Sequence, residues 1–263
     1  MSTLDPLKSL SPFRISGKKL TQLNDEYGCV TVIESRHYLT LTFDMIYEQS
    51  KLLKASTQMP VHHYIRAMLM SLSFTCTDKV LILGLGGGCL VRAINAYDDK
   101  IIIDAVELRE TVMKVAMQYF GSPESPKISY HIKDARDFML SEHKEEYDII
   151  FSDLYSEDSM IPLQSQGSFL VSCAKKVTVN GWLVMNYHIT PDVASVFSHA
   201  LYTLFKTVMY CTTPSGNVII YASKIDAPNP LSQYQALGNS IGKAFNCDVS
   251  TLAKKISIWP KPF

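Results

Sequence analysis

The chain has no surplus of charge. In 263 residues, 25 Lys and Arg stand against 25 Asp and Glu, and no block is rich in Lys or Arg. Nucleic-acid affinity rests mainly on a basic field facing the phosphate backbone, so DNA and duplex RNA are not expected partners. Long hydrophobic runs are missing too. No apolar stretch approaches the roughly 20 residues of a membrane span, and residues 1–10 lack a basic start followed by an apolar signal core. No membrane partner is expected, and the chain reads as cytoplasmic. Metal-like spacing is also absent: Cys29, Cys76, Cys89, Cys173, Cys211 and Cys247 form no CxxC pair and no Cys/His cluster. Neither a metal site nor a disulfide framework is expected from them. Repeats and low-complexity tracts are lacking as well. What the chain does have is apolar substance, 47% hydrophobic against 19% charged, in a length that suits one core with a small appendage.

Between residues 79 and 189 short apolar runs alternate with helical stretches. The runs at 79–85, 101–108, 127–132, 147–153 and 181–188 are apolar at successive positions rather than every second one. Such strands are covered on both faces, as in a parallel sheet flanked by helices. Helices are expected over 89–97, 110–120 (closed by Gly121), 134–142 and 167–179, and then from 191 to 205. Two further β-rich runs, 207–211 and 218–222, are joined by Pro214-Ser215-Gly216-Asn217, a hairpin signal. The expected fold is α/β: a doubly wound, Rossmann-like sheet ending in an antiparallel hairpin, the class I AdoMet-dependent methyltransferase-like arrangement (AdoMet, S-adenosylmethionine). Residues 1–58 form an expected β-hairpin region, with two strands over 30–43, and residues 59–226 the α/β domain, opening on a helix over 60–74. Residues 227–263 carry a helix over 231–245 and a tail.

Gly84-Leu85-Gly86-Gly87-Gly88 falls where the first parallel strand turns into its helix. Glycines there admit a ligand close to the backbone, and the helix N-terminus adds positive character. A dinucleotide fingerprint would place glycine at 89; Cys89 there disfavours a nicotinamide cofactor. Glu107 ends the second strand, where a carboxylate can accept from both ribose hydroxyls. Asp134 ends the third and can accept from an adenine amino group; Asp153 ends the fourth. A tight turn alone would explain the glycines and an N-cap alone would explain Asp134. Neither explains three carboxylates at neighbouring strand ends, the general place for ligands in open α/β sheets.

With these residues the sequence resembles the spermidine synthase family of polyamine aminopropyltransferases over roughly residues 28 to 223. The resemblance is carried by Glu48-Gln49-Ser50, Tyr64 with Met68, the run from Val80 to Gly88, Val106-Glu107, Lys133-Asp134-Ala135, residues 147–153 and Pro214-Ser215-Gly216. It implies transfer of an aminopropyl group from decarboxylated AdoMet to a putrescine-like amine, with methylthioadenosine as product and no tightly bound cofactor. It also implies Asp153 as base, Tyr64 beside the amine, Glu107 on the ribose and Asp134 with Ala135 on the adenine. Gln49, Gly84 and Gly86 would line the nucleoside pocket, and a homodimer is implied. An aliphatic amine has a pKa of roughly 10, so attack requires a carboxylate to take its proton.

The chain departs from that pattern on the amine side. Gly87 stands where the family has an aspartate, Ser156 where it has a second one, and Thr213 where it has a tyrosine. Ser156, Glu157 and Asp158 are candidate amine contacts; the two acids are equally readable as a solvated gate loop. Without a carboxylate at 87, intact AdoMet is a candidate co-substrate beside the decarboxylated form. A small-molecule methyltransferase and a non-catalytic nucleoside- or polyamine-binding protein are the competing readings. His62 and His63 are adjacent on a helix start and do not face one another, His188 has no partner in sequence, and His199 reads as surface.

Overall fold

The computed structural model describes residues 15–141, 145–155, 162–226 and 229–262. Two sheets organise the described residues. The larger has eight strands in the order β12 (Ser257–Ile258), β10 (Thr207–Thr212), β11 (Val218–Ser223), β9 (Val177–Tyr187), β8 (Tyr147–Ser152), β5 (Lys79–Leu83), β6 (Ile102–Glu107) and β7 (Ile128–Ile132). Its parallel part is β5, β6, β7, β8 and β9, which pair in parallel with one another. In β5 and β8 nearly every residue is buried, as unbroken apolar runs require when helices cover both faces. The covering helices are α2 (Cys89–Tyr97), α3 (Glu110–Phe120), α4 (Ala135–Leu140), α5 (Gly167–Lys176) and α6 (Val196–Leu204), with α1 (His63–Leu69), α7 (Leu231–Ala244) and α8 (Ser250–Lys254) packed in. Gly121 closes α3 in the left-handed conformation, as expected. This is the Rossmann-like, methyltransferase-like arrangement read from the sequence.

The closing hairpin positions the site. β10 (Thr207–Thr212) and β11 (Val218–Ser223) pair antiparallel, and β11 inserts antiparallel against β9. β11 therefore starts at the edge where β5, β6, β8 and β9 end. Its turn residues arrive beside the tips of the parallel strands.

Several details differ from expectation. The N-terminal region is a four-stranded antiparallel sheet, not two strands: β2 (Gly28–Glu34) and β3 (Tyr38–Thr42) are flanked by β1 (Lys18–Asp25) and β4 (Ser50–Leu53). β1 is polar and largely exposed and β4 is four residues long, so neither shows an alternating apolar pattern. The helix expected to 179 stops at Lys176, and β9 begins at Val177 with a register shift against Tyr147 and Ile149. The helix expected over 60–74 is α1 followed by a 3-10 turn over Met70–Ser73, and α6 starts at Val196, capped by Ser195, rather than at 191. The two-residue β12 (Ser257–Ile258) adds an edge beside β10.

The small sheet is not a free appendage. Val30, Val32, Leu41, Phe43 and Leu52 share a buried cluster with Val112, Val115 and Phe120 of α3. Arg109 completes the junction: its guanidinium donates to both Asp25 oxygens (3.0 and 2.8 Å) and lies 4.6 Å from the Phe43 ring centre. Among the described residues no helix is long and apolar enough to cross a membrane.

Candidate active site

The turn after β5 brings the strand tips together. Gly84 sits at φ +93°, and a Cβ there would lie 2.2 Å from the Asp153 carbonyl oxygen. Only glycine lets the two strand ends approach so closely. The loop then opens onto a cavity of about 430 Å³, lined by Gln49, Tyr64, Gly84, Gly86, Glu107, Asp134, Ala135 and Asp153 together. The three carboxylates at neighbouring strand ends thus face one hollow, with Ser50 of β4, Tyr27 and Phe43 closing its N-terminal side.

Each carboxylate is held differently. Glu107 accepts from the backbone N–H groups of Arg109 (2.9 Å) and Leu85 (3.1 Å). Burial pushes its carboxyl up, against N–H donors from Arg109, Leu85 and Gly86 that favour the ionised form. Glu107 therefore braces the glycine loop while facing the cavity. Asp134 caps α4, accepting from Arg136 N–H (2.7 Å), and also lines the cavity, so the capping role and the lining position coincide in one side chain. Asp153 accepts from Asn186 Nδ2 (2.8 Å) and interacts with the Tyr64 hydroxyl. Burial raises its pKa to about 6 in spite of these two donors.

Tyr64 is held well above the ordinary tyrosine range, first by burial and then by the Asp153 charge. Its ring stacks on His62, with centres 5.5 Å apart. His62 itself is pushed down to about 4 by burial. His188 stacks at 4.3 Å on Tyr155, which lines the cavity. His199 is exposed. Among the described residues no group of His, Cys, Asp and Glu is placed to hold a metal ion.

Gly87 has a structural counterpart in Ser50. Its N–H donates to Ser50 Oγ (2.8 Å), and a Cβ at 87 would lie 2.8 Å from Ser50 Cβ and 3.1 Å from Phe120 Cδ1. An acidic side chain at 87 would have to displace β4. Thr213 is buried and bonded to Ser215 (2.9 Å). Ser156, Glu157 and Asp158 lie outside the described residues.

Sequence reading did not single out Arg109, Tyr155 or Asn186. Arg109 and Tyr155 line the cavity, and Asn186 grips Asp153. Asn186 did carry a signal: an amide inside the apolar run Trp182-Leu183-Val184-Met185 to Tyr187 has to find a partner once buried.

Comparison with known proteins fits this geometry. The model of the spermine/spermidine synthase domain matches residues 30–227, which include every cavity residue from β2 onward. The chain belongs to that family. The polyamine aminopropyltransferase of Prochlorococcus marinus subsp. pastoris is 26% identical over 231 residues, 84% of this chain and 79% of that one. The eEF1A lysine and N-terminal methyltransferase of Homo sapiens is 32% identical over 118 residues, 41% of this chain; the match spans only 17% of that protein's length. The crystal structure of a probable spermidine synthase from Corynebacterium glutamicum shares the fold, with a TM-score of 0.70 at 16% identity over 85% of this chain and 87% of that one. In this spermine/spermidine synthase domain the hollow lies where α/β sheets take their ligands, at the carboxyl ends of the strands.

Proposed function

We propose that this family member is an aminopropyltransferase-like enzyme that binds an AdoMet-type nucleoside in the cavity and a small amine beside Asp153. The arrangement at Asp153 carries the reading: a carboxylate bonded by Asn186, next to the half-buried Tyr64, lining a hollow of about 430 Å³. In the reaction the amine lone pair forms an N–C bond to the terminal aminopropyl carbon. The C–S bond breaks with its electrons returning to sulfur, releasing methylthioadenosine, and the amine proton passes to Asp153. A sulfonium leaves readily, so the protein mainly positions the reactants and supplies a neutral amine. With its pKa raised to about 6, Asp153 is still ionised at neutral pH and is a stronger base than an ordinary carboxylate. Glu107 would take the ribose, Asp134 and Ala135 the adenine, and Gln49, Gly84 and Gly86 the walls around them.

Gly87 favours a second reading at the same site. With Ser50 filling the space beside it, the glycine loop presents no carboxylate to repel the amino-acid tail of intact AdoMet. Such repulsion would be a few kcal/mol at intermediate dielectric. The methyltransferase named among the relatives is consistent with methyl transfer as the alternative.

Two assays separate the readings. Decarboxylated AdoMet with putrescine should yield methylthioadenosine; S-adenosylhomocysteine from AdoMet and a metabolite pool would favour methyl transfer. Nucleoside binding without either product would leave a binding protein. By calorimetry, decarboxylated AdoMet should bind less than about a hundred-fold tighter than AdoMet; a larger ratio would remove the role given to Gly87. Homodimerisation is part of the proposal and is read by sedimentation.

A further inference from the structure

Asp153 is gripped by a chain of side chains that starts on the hairpin turn. The Thr213 and Ser215 hydroxyls lie 2.9 Å apart, and Ser215 Oγ donates to Asn217 Oδ1 (2.8 Å). Asn217 Nδ2 donates to Asn186 Oδ1 (3.0 Å), and Asn186 Nδ2 donates to Asp153 Oδ1 (2.8 Å). Topology brings these groups together. Asn186 is the penultimate residue of β9, and Asn217 immediately precedes the reversed β11, which starts at the same sheet edge. Asn186 is 1% and Asn217 5% exposed, so water does not compete for their bonds.

The chain has a single self-consistent polarity. An ionised carboxylate only accepts, so Asn186 must turn its NH₂ toward Asp153. Its carbonyl then faces Asn217 and needs that NH₂. The Asn217 carbonyl in turn needs the Ser215 proton, and Ser215 accepts from Thr213. Every donor points toward Asp153. The Asn186 backbone is fixed as well, its carbonyl oxygen accepting from the Tyr155 hydroxyl (2.8 Å).

We propose that Asn186 and Asn217 are positioning residues: a one-way donor relay, anchored on the hairpin turn, that holds the Asp153 carboxyl group as a proton acceptor facing the cavity. The relay rests on the assignment of Asp153 as base. It also explains why the turn lies so far along the chain yet belongs to the site. Reversing the polarity should undo it. A carboxylate at 217 cannot donate, so the Asn186 amide would rotate toward it and present its carbonyl to Asp153, which could answer only by keeping a proton. The other titratable groups facing Asp153 are Tyr64 from α1 and Tyr155 beyond β8, and Cys89 from α2 acts on Tyr64. Glu107 and Asp134 share the cavity, and His188 of the β9 end stacks on Tyr155. None of these is a link in the relay.

The test reads the Asp153 carboxyl carbon directly, by NMR of protein labelled with ¹³C at aspartate carboxyls, the signal being assigned by its loss in Asp153→Asn. Asn217→Asp and Asn186→Leu should each raise the titration midpoint by about one unit or more, and Ser215→Ala, on the exposed turn, by a few tenths. The acid limb of the kcat profile should move with the midpoint, while the KM for decarboxylated AdoMet stays within about two-fold. An unmoved midpoint in Asn217→Asp, or in Ser215→Ala should the buried variants not fold, overturns the relay. A midpoint that moves while the kcat profile does not would leave the relay standing and remove Asp153 as the base.

Discussion

Glu107 and Asp153 are both half-buried carboxylates at the ends of adjacent-but-one strands, lining one cavity, and they are held in different ways. Glu107 is surrounded by backbone N–H groups from the glycine loop and the following turn. Its donors belong to the main chain, so the carboxylate and the loop hold one another. Among the described residues Asp153 has side-chain donors only, Asn186 and Tyr64, and burial raises its pKa to about 6 as it also raises that of Glu107. The difference teaches that strand-end acids in one crevice are not interchangeable. Burial favours the neutral form of both, but backbone donors tie Glu107 to the loop it braces, whereas side-chain donors hold Asp153 without tying it to the main chain.

The sharpest way to break this comparison is Asp153→Asn. Turnover should fall by about 10²–10⁴ while nucleoside affinity stays within a few-fold, measured by methylthioadenosine release and calorimetry; unchanged turnover would strip Asp153 of its role. The same variant tests the energetics. The folded-state pKa of about 6 lies above the ordinary aspartate value of 3.8, so the folded chain binds this proton more tightly. That stabilisation is complete below about pH 4 and is lost as pH rises through 6. Relative to the parent, Asp153→Asn should therefore gain stability between pH 4 and 7, by at most about 3 kcal/mol, in urea titrations at the two pH values. A parallel pH dependence of the two proteins would contradict the burial argument.

Glu107→Ala should do the reverse. It leaves loop N–H groups without an acceptor, costing about 1–3 kcal/mol of stability together with nucleoside affinity. If affinity fell and stability held, Glu107 would be a ligand contact rather than a brace. The smallest effect is expected from Asp134→Asn. Asparagine caps a helix about as well as aspartate, so stability should stay within a few tenths of a kcal/mol while nucleoside affinity drops several-fold. Full affinity in that variant would reduce Asp134 to its cap.

The parallel core was legible because β5, β6 and β8 are apolar at successive positions, a pattern only a doubly covered strand needs. The carboxylates at the strand tips were legible for the same reason, since the strand end locates them. β1 and β4 were not, because a polar edge strand and a four-residue strand carry no periodicity to read. Asn186 escaped notice for a different cause. Its partner Asn217 is 31 residues away, and only the insertion of a reversed strand makes them neighbours. The Pro-Ser-Gly turn was read as a hairpin signal, but its tie to Asp153 depends on that strand order, which local turn chemistry does not encode.

The ion pair of Arg109 with Asp25 has a practical corollary. Tyr27, Phe43, Gln49 and Ser50 all precede residue 58 and form one wall of the hollow. A fragment begun at residue 59 would keep the α/β layers yet lose that wall, expose the apolar flank of α3 and leave a guanidinium without its carboxylate. Conversely, a nucleoside seated against both regions would act as mortar between them. Ligand should then slow protease cleavage within the 54–62 connection, although no atom of the ligand need touch it.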